Sequence, residues 1–419
     1  MKQKKRLYTI GVLIVVTVAL GCWVSSRWKA WFHNPPEAPY TVSEVPSRVL
    51  LTFGTEGEFS RYVSWVCDTV VDSASRLLLV DATDSLRLDT LSIEAIGEVF
   101  QSRSGKAAYY RALLTELKPL HTYRYAVESR DARSAWYSFR TANPDAHEFS
   151  FLYMGDVQDT IGGIANMLLR RALVAHPEAE FVAFGGDLIE RPTDAFFAET
   201  FRSVDSVCTA MPIVNITGNH DYLKYLKRKC ERRFSLVFPY FLKGMEERDD
   251  DNHLFALTYH NTDFYLLDSD RGAPYLWQQR RWLKRQIEQS RSAHKIVMAH
   301  HPLYSVKRRN NNLVQRFVFT PVIEEGGVDL VLQGHEHAYA RCTPSEAPLS
   351  GAVCTNRPLY TVSHCSPKNY SIHPSERFSN VRSGSRYYQV VTVKADAILM
   401  RAFDANTGAM IDSVVVSKQ

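Results

Sequence analysis

Residues 213–221 read IVNITGNHD. A short apolar run, Ile213–Ile216, passes through a small-residue turn into Asn219, His220 and Asp221. The same grammar recurs on both sides. Phe149–Met154 runs into GDVQD, with Asp156 and Gln158. Phe181–Phe184 runs into GGDLIE, with Asp187 and Glu190. Ile296–Met298 is followed by AHHP, with His300 and His301, and Leu330–Leu332 by QGHEHAYAR, with His335 and His337. Helix-length stretches lie between these runs. One is Ile164–Val174. Another is Tyr275–Gln289, where Leu276, Leu283 and Ile287 fall near helical spacing. Apolar runs alternating with helical stretches predict an α/β domain. A tail of further strand-like runs follows: Leu359–Val362, Tyr387–Val393, Ile398–Phe403 and Val414–Val416. A lone Asp after a strand is most often a helix cap. Five metal-ligand runs in order, each at a strand end beside Gly or another small residue, are not five independent caps. Loops at strand ends are where such groups converge on one site.

Ahead of this region the pattern differs. From Tyr40 to Thr141, short alternating runs (Arg48–Phe53, Tyr62–Val66, Arg76–Val80, Ala108–Leu113, Thr122–Glu128, Ala135–Arg140) are separated by Gly- and Asp-rich turns. About 100 residues with about seven such strands predict a β-sandwich. Leu117-Lys118-Pro119 makes a turn, after which Tyr123, Tyr125 and Val127 share a strand face. This resembles the end of a fibronectin type III domain.

The order GD, GD, GNHD, VMAH and GHEH resembles the metallophosphoesterase (calcineurin-like) superfamily. The sandwich in front and the segment HHPLYS make it most similar to the purple acid phosphatase branch. The resemblance implies a four-layer α/β/β/α catalytic domain over residues 148–419. It implies an immunoglobulin- or fibronectin III-like sandwich over 35–143, behind a leader at 1–34. It also implies a binuclear metal centre of iron, zinc or manganese, acting by attack of a metal-bound hydroxide on a phosphate monoester. Two ions about 3.5–4 Å apart suit that chemistry, because they lower the pKa of water and clamp an in-line displacement. Carboxylate and imidazole ligands suit those metals. By the resemblance Asp187 bridges, Asp156 and His337 hold the first ion, and Asn219, His300 and His335 hold the second. The same resemblance puts His220 beside the scissile phosphate as transition-state stabiliser or general acid, with Asp221 orienting it. The alternative for Asp221 is a cap on a following helix. Contacts to substrate are expected from His301, Arg308 and Arg309, the last two in the basic stretch SVKRRN with Lys307.

Two positions depart from the purple branch. Where a Tyr binds iron and gives the colour, this chain has Glu190, so a colourless protein is expected. Where that branch has Gly, this chain has Gln158, at a place where other superfamily members have a His ligand. Gln158 is therefore a candidate ligand through its amide oxygen, and Glu190 a solvent-facing or supporting group. A phosphodiesterase or nucleotide hydrolase uses the same core. A membrane-tethered binding module with a decayed site is the reading of another class.

The chain has 419 residues and a net charge of +5. With 45% hydrophobic and 23% charged residues it is not a disordered chain, a collagen or a multi-span membrane protein. The positive charge is local. Residues 1–34 hold Lys2, Lys4, Lys5, Arg6, Arg27 and Lys29 and no acid, and the remainder holds 44 basic against 45 acidic residues. No nucleic-acid partner is expected. Leu7–Ser26 is an uncharged, mostly apolar stretch of 20 residues, enough to cross a bilayer. Lys2–Arg6 is expected on the cytoplasmic side and the body outside it, periplasmic or at the cell surface. Cleavage near Ala19-Leu20-Gly21, or acylation of Cys22, are the alternatives to an uncleaved anchor. Pro35, Pro36 and Pro39 read as a stiff linker. Seven cysteines without a C-x-x-C leave two disulfides open, Cys342–Cys354 and Cys208–Cys230, against buried thiols. Lys224–Arg233, with six basic residues, reads as a solvated helix face, and Glu246–Asp251 as an exposed hairpin tip.

Overall fold

The computed structural model describes residues 2–55, 57–68, 75–83, 89–225, 229–240, 253–307, 312–344, 353–354 and 358–417. Arg308, Arg309, Lys227, Arg228 and the Glu246–Asp251 stretch lie outside these residues.

The alternating segment ahead of residue 143 folds as two antiparallel sheets. One orders Ser47–Gly54, Gly57–Cys67, Gly105–Leu114 and Ile96–Ser102. The other orders Thr90–Glu94, Arg76–Asp81, Thr122–Ser129 and Ala132–Arg133, with Tyr137–Arg140 also paired to Thr122–Ser129. Side chains alternate across a strand. Val49, Leu51, Val63, Trp65 and Tyr110 therefore meet Leu77, Tyr125 and Val127 inside the sandwich. The opposite face of the first sheet, with Leu50, Phe53, Val66 and Tyr109, joins the core of the next domain. Phe53 packs edge-on to Phe181 and Tyr259 at 5.4 and 5.3 Å. A sheet buried on both faces explains why Ser47–Gly54 reads as an almost unbroken apolar run. Thr90–Glu94 and Ile96–Ser102 escape the sequence pattern because they are edge strands with no fully buried residue, the first mostly exposed and the second half-buried.

Behind the sandwich, two seven-stranded sheets stack. The first orders Ile213–Asn215, Ala179–Phe184, Glu148–Met154, Tyr387–Lys394, Ala397–Asp404, Met410–Ser417 and Val353–Cys354. The second orders Phe255–Tyr259, Thr262–Leu267, His294–Ala299, Leu330–Gln333, Leu359–Val362, Tyr339–Cys342 and Phe378–Arg382. Phe151 and Phe181 of the first meet Phe264 of the second at 5.4 and 5.6 Å. One residue along, Tyr265, Val297 and Val331 face the other way, under Leu276, Trp282 and Leu283 of helix Ala273–Gln289 and Val318 and Phe319 of helix Leu313–Glu325. Helices Ala165–Ala175 and Asp194–Cys208 bury Leu168, Leu169, Phe197 and Phe201 into the core of the first sheet. The result is the expected four-layer α/β/β/α arrangement behind an all-β sandwich.

Two expectations need correction, those for Lys224–Arg233 and for the linker, and the alternative left open for the cysteines falls to buried thiols. The described residues of Lys224–Arg233 do not form a helix face: Tyr222–Leu223 pairs with Lys229–Cys230 as a two-stranded ribbon. Arg233 beyond it is fully buried, because Glu37 (2.8 Å) and Glu231 (3.9 Å) neutralise it. Neither Cys342–Cys354 nor Cys208–Cys230 is bonded, and the six cysteines of the body are buried thiols. Burial pushes the Cys365 thiol up to about 12, which makes it inert. The proline-rich linker is not a free spacer, because Glu37 within it has a side chain only 1% exposed. At the N-terminus, Lys2–Phe32 is one helix, and its span Gln3–Lys29 is long and apolar enough to cross a membrane, as an anchor or a signal sequence does.

Candidate metal centre

Five loops converge, and each follows the C-terminal end of a parallel strand. Asp156 comes after Glu148–Met154, Asp187 after Ala179–Phe184, and Asn219 after Ile213–Asn215. His300 comes after His294–Ala299, and His335 and His337 after Leu330–Gln333. Ligand atoms of Asp156, Asp187 and His300 all lie within 4.8 Å of one another, and all three residues are buried. His300 Nε2 stands 3.3 Å from Asp187 Oδ2, and His337 Nε2 stands 3.4 Å from Asp156 Oδ1. The other nitrogen of each ring is committed. His300 Nδ1 donates to the Gly185 carbonyl at 2.8 Å and His337 Nδ1 to the Lys368 carbonyl at 2.9 Å. Such bonds fix the tautomer that leaves Nε2 free as a ligand. The His335 ring lies 5.1 Å from that of His300, and the backbone N–H of His335 donates to Asp156 Oδ2.

The backbone is strained where these groups sit. Asp156, Asp187, His335 and His337 have φ of 40°, 49°, 68° and 46°. Each such residue costs of order 1–3 kcal/mol and persists only where the surroundings impose it. Glycines make the close approaches possible. A Cβ on Gly218 would lie 2.2 Å from Asp187 Oδ1, and one on Gly334 would lie 2.3 Å from Asp156 Oδ2.

The donor set fits cations. Asp156 Oδ1 and Gln158 Oε1 are buried and accept no hydrogen bond. Burial favours a neutral His300, yet Asp187 and Asp156 outweigh it and raise its pKa well above the ordinary value. Burial also favours a protonated Asp187, yet His300 and His220 outweigh it and lower its pKa. The two shifts express one demand: the carboxylates call for positive charge in this place. His335, by contrast, is held neutral by burial and by the nearby His301 and His300. A neutral imidazole is the form that binds metal. Gln158 Nε2 stands 3.3 Å from His337 Nε2. Turning the amide over, an exchange of nearly isosteric ends, puts its oxygen toward the same cage.

Other expected residues take different places. His220 sits on a single 3₁₀ turn, Asn219–Asp221. Its N–H donates to Asp187 Oδ1 at 2.7 Å and its Nε2 stands 4.0 Å from Asp187 Oδ2. Its Nδ1 donates to the Glu190 carbonyl, not to Asp221. The expected His220–Asp221 pair is therefore corrected. Asp221 turns back to accept the Gly218 N–H at 2.8 Å, and no helix follows it to cap. Burial and the nearby Asp187 raise its pKa well above the usual carboxylate range. The Glu190 carboxylate swings to Lys368 Nζ at 2.6 and 2.7 Å. His301 is only 9% exposed, with its ring 4.4 Å from His335 and Nδ1 3.0 Å from Ser269 Oγ. It supports the His335 ring from within the fold. Lys307 reaches the His335 carbonyl at 3.2 Å.

Some residues of the site were missed. Glu336, between the two histidines, accepts from Ser305 Oγ and Val306 N and ties the two His-bearing loops together. His364 stacks on His337 at 5.3 Å, and Tyr370 covers the same ring at 4.3 Å. The signal for His364 was present: it follows the strand Leu359–Val362 as the other histidines follow theirs.

Two family profiles match this chain: "Calcineurin-like phosphoesterase" over residues 149–339 and "Purple acid Phosphatase, N-terminal domain" over 46–141. The chain carries a calcineurin-like metallophosphoesterase domain behind a purple acid phosphatase N-terminal domain. Among curated relatives, acid phosphatase type 7 of Danio rerio is 23% identical over 261 residues, which are 56% of this chain and 58% of that one. Purple acid phosphatase 5 of Arabidopsis thaliana is 24% identical over 319 residues, 73% of this chain and 72% of that one. The match thus spans less than two thirds of the zebrafish protein. Among solved structures, the purple acid phosphatase PPD1 from yellow lupin (Lupinus luteus) seeds superposes with a TM-score of 0.70 at 14% identity, covering 90% of this chain and 75% of that one. PhoD gives 0.61 at 13%, covering 91% and 94%. At such identities the structural likeness concerns the fold. The cage described above lies where the loops of the phosphoesterase domain meet.

Proposed function

We propose that this metallophosphoesterase releases phosphate from monoesters, using two metal ions, on the outer side of a membrane. The observation that carries the proposal is the buried cage of Asp156, Asp187 and His300, with His335 and His337 turned toward it. The acid phosphatase relatives support the monoester. In this reading Asp187 would be shared between two ions, Asp156, His337 and Gln158 would hold one, and Asn219, His300 and His335 would hold the other. Two ions there supply charge to the phosphoryl oxygens and lower the pKa of water.

The chain's own residues supply the rest. His220, with a side chain 26% exposed, faces open space, and the Glu190 carbonyl fixes its ring. It carries a proton on Nε2 to the leaving oxygen. Lys307, placed by the His335 carbonyl and the Tyr370 ring, adds positive charge at the rim. Asn219 contributes a neutral oxygen, so the cage does not repel an anionic substrate.

The test measures phosphate release from an aryl monoester, a diester and a nucleotide, each with and without chelator, on protein of known metal content. The monoester is expected to turn over fastest and to lose its turnover on chelation. Faster diester or nucleotide turnover would reassign the substrate class. The side of the membrane is tested by protease access to the body in intact cells.

A further inference from the structure

The N-terminal segment forms one wall of the candidate site. A cavity of about 470 Å³ opens beside Asn219 and His220, within the range of small-molecule pockets. Its far wall holds Lys29, from the last turn of the N-terminal helix, and His33 and Asn34, which follow it.

This wall is docked. Asn34 Nδ2 donates to the Lys224 carbonyl at 3.0 Å, and the Lys224 N–H donates to Asn34 Oδ1 at 2.8 Å. The Pro35 carbonyl accepts from Arg103 at 2.9 Å. Glu37 is locked by Arg103 and Arg233 at 2.9 and 2.8 Å and by Ser104 Oγ at 2.7 Å. The helix ends at Phe32, and five residues of chain reach about 18 Å at most. Exposed Trp23, Trp28 and Trp31 mark the last turns of the helix as an interfacial belt. A helix seated in a bilayer would therefore hold the cavity mouth at the bilayer surface. Lys29, Arg191 and Lys224 make the cavity wall basic, while its Arg103 is paired with Glu37 and its Glu190 with Lys368.

We infer that the cleft is held against the membrane and takes the headgroup of a lipid phosphate monoester from the bilayer in which the protein sits. The inference rests on the phosphoesterase reading and adds to it the source of the substrate. The step is a hydrolysis. A water oxygen bonds to phosphorus, the phosphorus–oxygen ester bond breaks, and the lipid alcohol leaves with the proton from His220; one proton of the water stays on the phosphate and the other returns through solvent to His220. Inorganic phosphate is the other product.

The full chain is reconstituted with its metals into phosphatidylcholine vesicles. Phosphate release is measured from phosphatidic acid in the same bilayer, from phosphatidic acid in separate vesicles, and from a soluble aryl phosphate. Sharing a surface raises effective concentration, so same-bilayer turnover is expected to exceed separate-vesicle turnover by about 100-fold. Asn34→Ala, which breaks both hydrogen bonds of the clasp on Lys224, is expected to lower same-bilayer turnover by about 25-fold, about fivefold for each bond lost. Hydrolysis of the aryl phosphate without preference for the shared bilayer would overturn the inference and leave the phosphoesterase reading standing. Loss of all three activities in a metal-loaded protein would remove that reading and the inference with it.

Discussion

Four residues carry the strain of the site. Asp156, Asp187, His335 and His337 hold left-handed backbones, which Asp and His tolerate better than most side chains but which still cost energy. The glycines beside them carry no Cβ because no room exists for one. Gly218→Ala would force a carbon to 2.2 Å from Asp187 Oδ1. We expect metal affinity to fall about 10–100-fold, read by titration of the metal-free protein, with the fold retained by circular dichroism. His220 and Asp221, adjacent in sequence, separate in role. His220→Ala should lower turnover about 100-fold or more at unchanged metal content. Asp221→Ala should cost about 1 kcal/mol, as loss of a cap does, and leave in place the alkaline limb of the pH–rate profile, where a general acid loses its proton. A shifted limb in Asp221→Ala would restore the discarded pair. Glu190 makes a further optical prediction. Its carboxylate is engaged by Lys368, and no phenolate stands at its position. Iron-loaded protein should lack the visible phenolate-to-iron band, and its presence would require a tyrosine ligand from elsewhere.

Elements decide how much of this was legible beforehand. Strand ends were readable because parallel strands buried on both faces are apolar runs, and a run that stops at Gly-Asp or Gly-His announces its loop. That signal marked the five loops, and the resemblance to the metallophosphoesterases picked the six expected ligands from among their residues. Helix Leu313–Glu325 was hidden by Pro321, a residue that argues against a helix interior. Edge strands Thr90–Glu94 and Ile96–Ser102 were hidden by exposure, which erases alternation. Direction was illegible too. Sequence spacing put Asp221 beside His220, but a 3₁₀ turn points successive side chains apart, and a carbonyl carries no sequence signal. The linker hid most of all, since prolines suggest a spacer and one glutamate makes it a docked strap. Burial alone would raise the Glu37 pKa, but Ser104, Arg233 and the Asp194 N–H outweigh it and lower it. A lowered carboxylate stabilises the fold fully above its unfolded value, about pH 4.3. That contribution is lost as pH falls through the folded value. Glu37→Gln should therefore lower thermal stability at pH 7 by about 3 kcal/mol, the cost of breaking a buried pair. The gap to the parent protein should close as pH drops below about 4. A gap independent of pH would mean that Glu37 acts through packing.

At the scale of the molecule, charge divides by address. Six positive charges lie in residues 1–34, around an apolar helix, and the body is close to neutral. Its attraction for phosphate must come from what the cage holds and from a few placed side chains, not from net charge. Sandwich and catalytic domain share a core through Phe53, Phe181 and Tyr259, so they should unfold together. Metal that binds only the folded state raises its stability by about 2.7 kcal/mol when free metal is 100 times the dissociation constant. Chelation should therefore lower the single melting transition, and two separate transitions would contradict the shared core. The central claim is that these loops form a binuclear, phosphate-releasing centre. Its most direct test counts metal ions per chain and, on the same sample, follows phosphate release from an aryl monoester before and after chelation. Two ions per chain, with turnover lost on chelation and restored by added metal, is the predicted result. Two bound ions with no phosphate release, or release that chelation leaves untouched, would contradict it.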